Sequence, residues 1–444
     1  MVTAMTHPPG PSNRAPGQNL LALLRNPLQF LERARDFGPV ASFQAGPRRV
    51  FLVSEPELAH EVLVAQQAAF EKGILLQRSK RLLGDGILTA EGERHLRHRR
   101  LLQPAFHRER LASYADAMAA HSLRTRASWR DGAVVDAAEE LRRTALRIVG
   151  ETLFGAEVGE QAGEIGAALG TLLELSNRLL LPGFELLERL PLPGPRRMQA
   201  ARSRLDAVVE RLIAERRAGG DRGDLLSMLV FARDEEDGPG LTDGEVRDEA
   251  MTLFLAGHET TANALAWAFH LLAQHPGAQG RLHQELDEVL AGRPPRGDDY
   301  PRLPHCKAVF SEALRLYPPA WAIGRHARRD VQLADWRVPR GSVVVVSPWL
   351  LHRDPRFWSH PQAFEPERFL EGHPVRPRLA YCPFGAGTRI CIGEGFAWME
   401  GVLVMATLLQ AWRVRPAAAP PPRPEPRITL RPGGGVHLVV ERRT

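Results

Sequence analysis

The residues that could carry chemistry gather in a few short stretches, and the densest is YCPFGAGTRICIGEGFAWM, from Tyr381 to Met399. Phe384, Gly387, Arg389, Cys391 and Gly393 fall there on the pattern F-x-x-G-x-R-x-C-x-G. A lone cysteine is by default a small buried hydrophobe. This one differs, because Gly385, Gly387 and Gly393 let the backbone fold tightly and approach a flat partner without Cβ interference. The run after Gly393 (Phe396, Ala397, Met399, Val402, Leu403, Met405, Ala406) has helical spacing, which puts Cys391 just ahead of a helix N-terminus. Unpaired N–H groups and the helix dipole there favour negative charge and stabilise a thiolate. With Arg389 two residues upstream, such a thiolate suits a haem iron and a propionate. Cys382 is the rival ligand, and it lacks both the glycine frame and the arginine.

A second stretch lies inside a long apolar segment. Thr242 followed by Glu245 forms a capping box and Pro276 closes the segment, so the spacing predicts a helix of roughly 32 residues, about 48 Å long. It is apolar at Met251, Leu253, Phe254, Leu255, Leu265, Trp267, Phe269 and Leu272, yet its middle reads Ala256-Gly257-His258-Glu259-Thr260-Thr261. Glycine destabilises a helix interior, and threonine can bond back to a carbonyl one turn earlier. A polar, weakened centre in a buried helix breaks the local rules, and such breaks are expected at functional sites. Elsewhere, His95 and Arg99 share a helix face. Glu312 and Arg315 lie one turn apart among apolar residues, where buried charges need full hydrogen bonding.

In this order the motifs resemble those of the cytochromes P-450, the haem-thiolate monooxygenases, over about residues 20 to 443. The resemblance implies a mainly α fold with a smaller β region, haem b lying between a long central helix and the Cys-ligand loop. It implies that Cys391 ligates the iron, with Phe384 in the same loop. His95, Arg99, Arg325 and Arg389 match positions that hold haem propionates. It makes Thr260 the hydroxyl that organises dioxygen and water, and Glu259 the acid that relays protons. Proton delivery in an otherwise dry pocket is what the chemistry needs. It makes Glu312, Arg315 and Arg368 structural, and His258 a structural residue facing away. Arg94, Arg97 and Arg100, on other faces of the His95 helix, are expected to meet a redox partner.

The implied activity is insertion of one oxygen atom from O2 into an apolar substrate: a terpenoid, fatty acid or carotenoid. Electrons would come from NAD(P)H through a separate ferredoxin or flavodoxin and its reductase. Two alternatives remain open: a peroxide-driven or isomerising haem-thiolate enzyme, and a non-enzymatic haem sensor or carrier. Retention of Glu259 and Thr260 speaks against both.

Composition agrees with these expectations. Of 444 residues, 44% are hydrophobic and 25% charged, as in ordinary globular proteins. The net charge, 58 − 52 = +6, suits an acidic partner, while the interleaving of both signs and the lack of a binding motif exclude nucleic acid. Three cysteines, Cys306, Cys382 and Cys391, have no disulfide-framework spacing. No run of about 18 apolar residues could span a bilayer. A cytoplasmic monomer without a transmembrane anchor is expected.

Along the chain, residues 1–18 are expected as a flexible tail and 19–444 as a single haem-thiolate domain. Leu20 to Leu31 is amphipathic, and Val40 to Val53 reads as a hairpin turning at Gly46-Pro47. Glu57 to Ala69 has helical period, and Lys72 to Thr89 reads as a loop. Arg108 to Arg217 is mainly helical, its Leu172 to Leu187 segment being by resemblance the apolar lid of the substrate pocket. Ala320 to Ile323 is expected to be extended and Val343 to Val346 to be a buried strand. Pro416 to Pro426 reads as a proline-rich connector, and Ile428 to Val440 as a hairpin turning at Pro432-Gly433-Gly434-Gly435.

Overall fold

The computed structural model describes residues 7–155, 162–176, 193–232, 240–372 and 375–443. These are mainly helical with a smaller β region, as the resemblance implies. They divide into two compact units, the first built from Met1–Gln77, Leu314–Ala363 and Gly372–Cys391, the second from Arg78–Ala313, Phe364–Glu371 and Ile392–Thr444.

The first unit is organised by a five-stranded sheet in the order Val40–Ala45, Arg48–Val53, Val343–Val346, Ile323–Ala327, Phe70–Lys72. The first two strands form the expected hairpin, with Ala45 opposite Arg48 and Gly46 at φ 60 in the turn. Val343–Val346 runs parallel to Arg48–Val53 and antiparallel to Ile323–Ala327. Its four valines suit a central strand, since β-branched side chains pack well on a pleated surface. Phe51, Val53, Val62, Phe70, Val344 and Leu351 form part of the core on this sheet. Of the run expected to be extended, Ala320 is a bend, 321–322 have no regular structure and the strand begins at Ile323, the carbonyl of Trp321 accepting the Ser347 hydroxyl at 2.8 Å.

Four expectations are corrected here. Residues 7–17 do not form a free tail: Ser42 donates its N–H to the Pro9 carbonyl at 3.1 Å and its hydroxyl to the Pro8 carbonyl at 2.8 Å. Prolines lack donors but keep acceptors, so this segment can still dock along a strand. The amphipathic run from Leu20 is two helices, Gln18–Arg25 and Pro27–Arg35, parted where the Asn26 side chain caps the second. Glu57–Ala69 is no single helix: after Pro56–His60 it widens into a π turn, the Gln66 N–H reaching the Glu61 carbonyl at 2.8 Å. The stretch expected as a loop after Lys72 contains the helix Ile74–Leu83, ended by Gly84 at φ 78.

The second unit is built round the helix Asp243–Gln274, with its 32 residues and the Thr242–Glu245 capping box as expected. It packs along the helix Ala137–Phe154, where the Phe154 and Phe254 rings stack at 3.8 Å and Gly257 leaves little room for a side chain: a Cβ there would lie 3.0 Å from the Val149 side chain. Close helix approach, as well as weakening, is therefore a reason for that glycine. The helix Glu394–Leu409 packs on Arg108–Ser128. Glu312 accepts from Arg368 Nε at 3.1 Å and from the Glu365 N–H at 3.0 Å, all within this unit. Arg315, in the first unit, donates to the carbonyls of His352, Pro361 and Ala363 at 2.8, 2.8 and 2.9 Å.

The C-terminal expectation is also corrected. Leu430–Gly433 pairs with Arg423–Pro426, inside the supposed connector, whereas His437–Arg442 joins Val134–Asp136 and Trp412–Pro416 in another sheet. Left-handed Gly434 and Gly435 carry the chain from one sheet to the other instead of closing a hairpin. Of the Leu172–Leu187 segment, Leu172 and Leu175 are buried in the helix Ala162–Ser176, and residues 177–187 lie outside the described residues.

Candidate active site

The cysteine loop belongs to the first unit. Gly385 and Gly387 both adopt φ 75, and the Cys391 N–H returns to the Phe384 carbonyl at 3.0 Å. Gly393, by contrast, sits at φ −87 and uses none of its left-handed freedom. Thr388 donates its N–H and its hydroxyl to Gln67 Oε1 at 2.8 and 2.9 Å, and Arg389 donates to the carbonyls of Gln67 and Phe70 at 3.4 and 3.0 Å. A Cβ on Gly387 would lie 2.0 Å from the Leu63 carbonyl oxygen, so the loop can rest on the π turn only with glycine there. Arg325 is buried in the sheet, opposite Val344, and donates to the Gly324 carbonyl at 3.1 Å.

The donor set fits haem. None of the three cysteines is in a disulfide, and Cys391 alone is exposed. Burial pushes the Cys382 thiol up to about 12 and the Cys306 thiol well above its ordinary value, so neither is a ready thiolate. No cluster of three or more His, Cys, Asp or Glu suited to a metal occurs among the described residues. A single exposed thiol in a glycine loop is a donor that suits haem, whose porphyrin brings its own nitrogen ligands.

In the second unit, His95 is buried and Arg99 half-buried on the helix Gly92–Leu102. The cations expected to meet a redox partner are partly tied up internally. Arg94 pairs with Asp85 at 2.8 Å, and Arg97 reaches Glu245 at 3.2 Å and the Gly240 carbonyl at 3.0 Å. Arg100 is exposed. Between them His98, fully buried, meets Glu249 of the long helix through Nδ1 at 2.5 Å, a link that an isolated histidine in a basic run does not announce.

On the long helix, every residue from Glu249 to Phe269 is buried except Ala256, Gly257, Thr260 and Asn263. Their spacing makes one open stripe in a sealed helix. Thr260 lies on it and donates its hydroxyl back to the Ala256 carbonyl at 2.7 Å, as the sequence suggests. Glu259 turns the other way and is 6% exposed. Its Oε1 accepts the Thr429 hydroxyl at 2.9 Å, and Thr429 Oγ1 accepts from Asn263 Nδ2 at 3.2 Å. Burial pushes the Glu259 carboxyl up, against the Thr429 hydrogen bond and the fields of Arg431 and Arg142. His258 is buried and lowered to about 4, hence neutral and structural, with Nδ1 3.2 Å from the Phe254 carbonyl. Next along the helix, Thr261 acts on Glu400, a fully buried acid whose carboxyl burial holds well above its usual range. Thr429, Asn263 and Glu400 were not singled out from sequence. For Glu400 a signal existed, a lone acid inside the apolar run 396–409, whereas Thr429 carries none.

Comparison with known proteins accords with this arrangement. The profile of the family described as Cytochrome P450 matches residues 8–439. The chain is 40% identical over 417 residues to cyclooctatin synthase of Streptomyces melanosporofaciens, covering 93% of this chain and 91% of that protein. It is 38% identical over 416 residues to the cyclooctat-9-en-7-ol 5-monooxygenase of the same organism, covering 92% and 90%. To pentalenene oxygenase of Streptomyces avermitilis it is 39% identical over 396 residues, 88% of each chain. Among solved structures, the cytochrome P450DA haem domain matches with a TM-score of 0.88 at 26% identity, covering 99% of this chain and 98% of that one.

Proposed function

Given that the chain belongs to the cytochrome P450 family and is a haem monooxygenase, we propose that it oxygenates a terpenoid, with Cys391 as the iron ligand and Glu259 and Thr260 governing protons. The observation that carries the site assignment is the exposure of Cys391 in its glycine loop while both other thiols are buried. Relatives named for cyclooctatin, cyclooctat-9-en-7-ol and pentalenene support a terpenoid over a fatty acid or carotenoid.

When bound, haem supplies the oxygen activation, with the thiolate donating electron density. The chain supplies position and protons. Arg325 and Arg389 in the first unit, and His95 and Arg99 in the second, are the candidates for the propionates; the two arginines of the first unit are already oriented by backbone carbonyls. Thr260 spends its single hydroxyl proton on Ala256, so towards the open stripe it presents lone pairs and orients a donor there. Glu259, desolvated and raised, keeps a proton to higher pH than an exposed glutamate. It faces away from the stripe, so the proton travels by side-chain rotation or through water.

Electrons are assigned to NAD(P)H by way of a ferredoxin or flavodoxin and a reductase, for which the net charge of +6 suits an acidic carrier. A monomer in a reducing cytoplasm is consistent with three cysteines outside any disulfide. No helix among the described residues is long and apolar enough to cross a membrane.

Two substitutions test this reading. Cys391→Ser is expected to abolish the thiolate-type spectrum of the reduced carbon monoxide complex, and a retained spectrum overturns the ligand. Thr260→Ala, assayed with a surrogate ferredoxin system, is expected to divert electrons to hydrogen peroxide. Normal turnover with full coupling would remove Thr260 from the mechanism.

A further inference from the structure

We propose that Thr429 is the positioning residue for Glu259, fixing which carboxyl oxygen carries the transferable proton, and that Asn263 sets the direction of the Thr429 hydroxyl. This rests on the reading of Glu259 as the proton carrier.

The argument begins with what holds the acid. Glu259 has no ion pair among the described residues, although Arg142 on the helix Ala137–Phe154 and Arg431 on the strand Leu430–Gly433 act on it through their fields. Its Oε1 accepts a hydrogen bond from Thr429, at the turn between Arg423–Pro426 and Leu430–Gly433, and the Asn263 side chain also acts directly on the carboxyl in the same sense. Thr429 is buried, and its carbonyl accepts the Arg427 N–H at 3.0 Å, which fixes the turn and with it the hydroxyl.

The direction of that hydroxyl is settled by counting protons. A threonine hydroxyl has one hydrogen to donate and two lone pairs to accept with. Asn263 Nδ2 has no role open to it here except donor, so it fills a lone pair of Thr429 Oγ1. The one hydroxyl hydrogen is then aimed at Glu259 Oε1, 2.9 Å away. Oε1 accepts that bond whether the carboxyl is charged or neutral. Oε2 is buried and has no hydrogen-bond partner among the described residues, so the proton resides there and is the one free to leave.

Asn263 is also one of the residues on the open stripe with Thr260. The chain from Asn263 to Thr429 to Glu259 thus ties a group on the open face to the rotamer of the buried acid behind it. A ligand that engages Asn263 would redirect the Thr429 hydroxyl and release Oε1.

The test uses the haem-loaded enzyme and the infrared carboxyl band of Glu259, identified as the band that Glu259→Gln removes. Thr429→Val keeps the shape and deletes the hydroxyl. Loss of a donor to Oε1 is expected to move the carbonyl stretch up and raise the pH at which the band titrates, because the lost bond favoured the ionised form. The yield of product per electron is expected to fall about fivefold to tenfold, the size of one ordinary hydrogen bond. Haem content and the carbon monoxide spectrum stay unchanged, and Thr429→Ser restores both band and coupling.

An unmoved band and unchanged coupling in Thr429→Val, with Glu259→Gln impaired, overturn the role of Thr429 alone. Normal coupling in Glu259→Gln overturns the proton-carrier reading beneath it. Should Thr429→Val lose haem, Asn263→Ala keeps the hydroxyl and removes its guide. A band in Asn263→Ala identical to that of the unsubstituted enzyme overturns the proposal, and an upward or broadened band supports it.

Discussion

Removing Arg368 should expose how much of the fold hangs on one buried charge pair. Glu312 is 0% and Arg368 4% exposed, and their Nε to Oε1 contact is 3.1 Å. Arg368→Ala takes this counter-charge from Glu312, in a place water cannot reach, and leaves the Glu365 N–H in position. Stripping one partner from a buried pair costs about 3–5 kcal/mol, against a total stability of about 5–15 kcal/mol for folded proteins generally. Arg368→Lys keeps the charge but cannot serve Glu312 and Glu365 through separate nitrogens as the guanidinium does, so an intermediate loss is expected. The informative variant is Glu312→Leu combined with Arg368→Leu. Without an orphaned carboxylate it should be more stable than Arg368→Ala by about 2 kcal/mol or more. Urea unfolding midpoints, followed by far-ultraviolet circular dichroism and by the haem absorbance, measure both. If Arg368→Ala costs less than about 1 kcal/mol, or the double variant is no better than the single, the pair is not the desolvated link described above.

Other substitutions probe the loop and the second buried acid. Gly387→Ala forces a left-handed residue, about 1–2 kcal/mol, and also drives a Cβ to within 2.0 Å of the Leu63 carbonyl, so haem retention is expected to collapse. Gly434→Ala carries the same type of conformational cost at φ 88, but nothing lies within 4 Å, and haem content should stay normal; equal behaviour of the two would deny the loop its tight seat. For Glu400, burial raises the folded-state carboxyl well above its unfolded value. Its stabilising protonation is then fully present below about pH 4 and is lost as pH rises towards the folded value, by up to about 1.4 kcal/mol per pH unit. Glu400→Gln should flatten that decline and be the more stable protein at pH 8, and parallel stability profiles for the two would show the acid to be solvated.

What could be read in the sequence was local, and what could not was the identity of distant partners. The long helix was legible because its start, a capping box, and its stop, Pro276, lie beside it in the chain. Cys391 was legible because its glycines and Arg389 are its neighbours. The Leu430–Gly433 strand was not, because Pro432-Gly433-Gly434-Gly435 signals that the chain turns without saying which sheet it turns towards. The helix Ile74–Leu83 was missed since its buried residues, Ser79, Leu82 and Leu83, make too short a stripe to show a period. Thr429 was invisible for a different reason: threonine is common in turns, and its partner Glu259 lies 170 residues away.

The placement of Glu259 and Thr260 shows why adjacent residues can hold opposite roles. Successive residues on an α-helix point about 100° apart, so one can be sealed while the next is open. In the proton-carrier role proposed above, Glu259 needs a desolvated carboxyl, and its 6% exposure provides one. A group that receives and orients needs free lone pairs on an accessible face, and Thr260 has them because its proton is committed to Ala256.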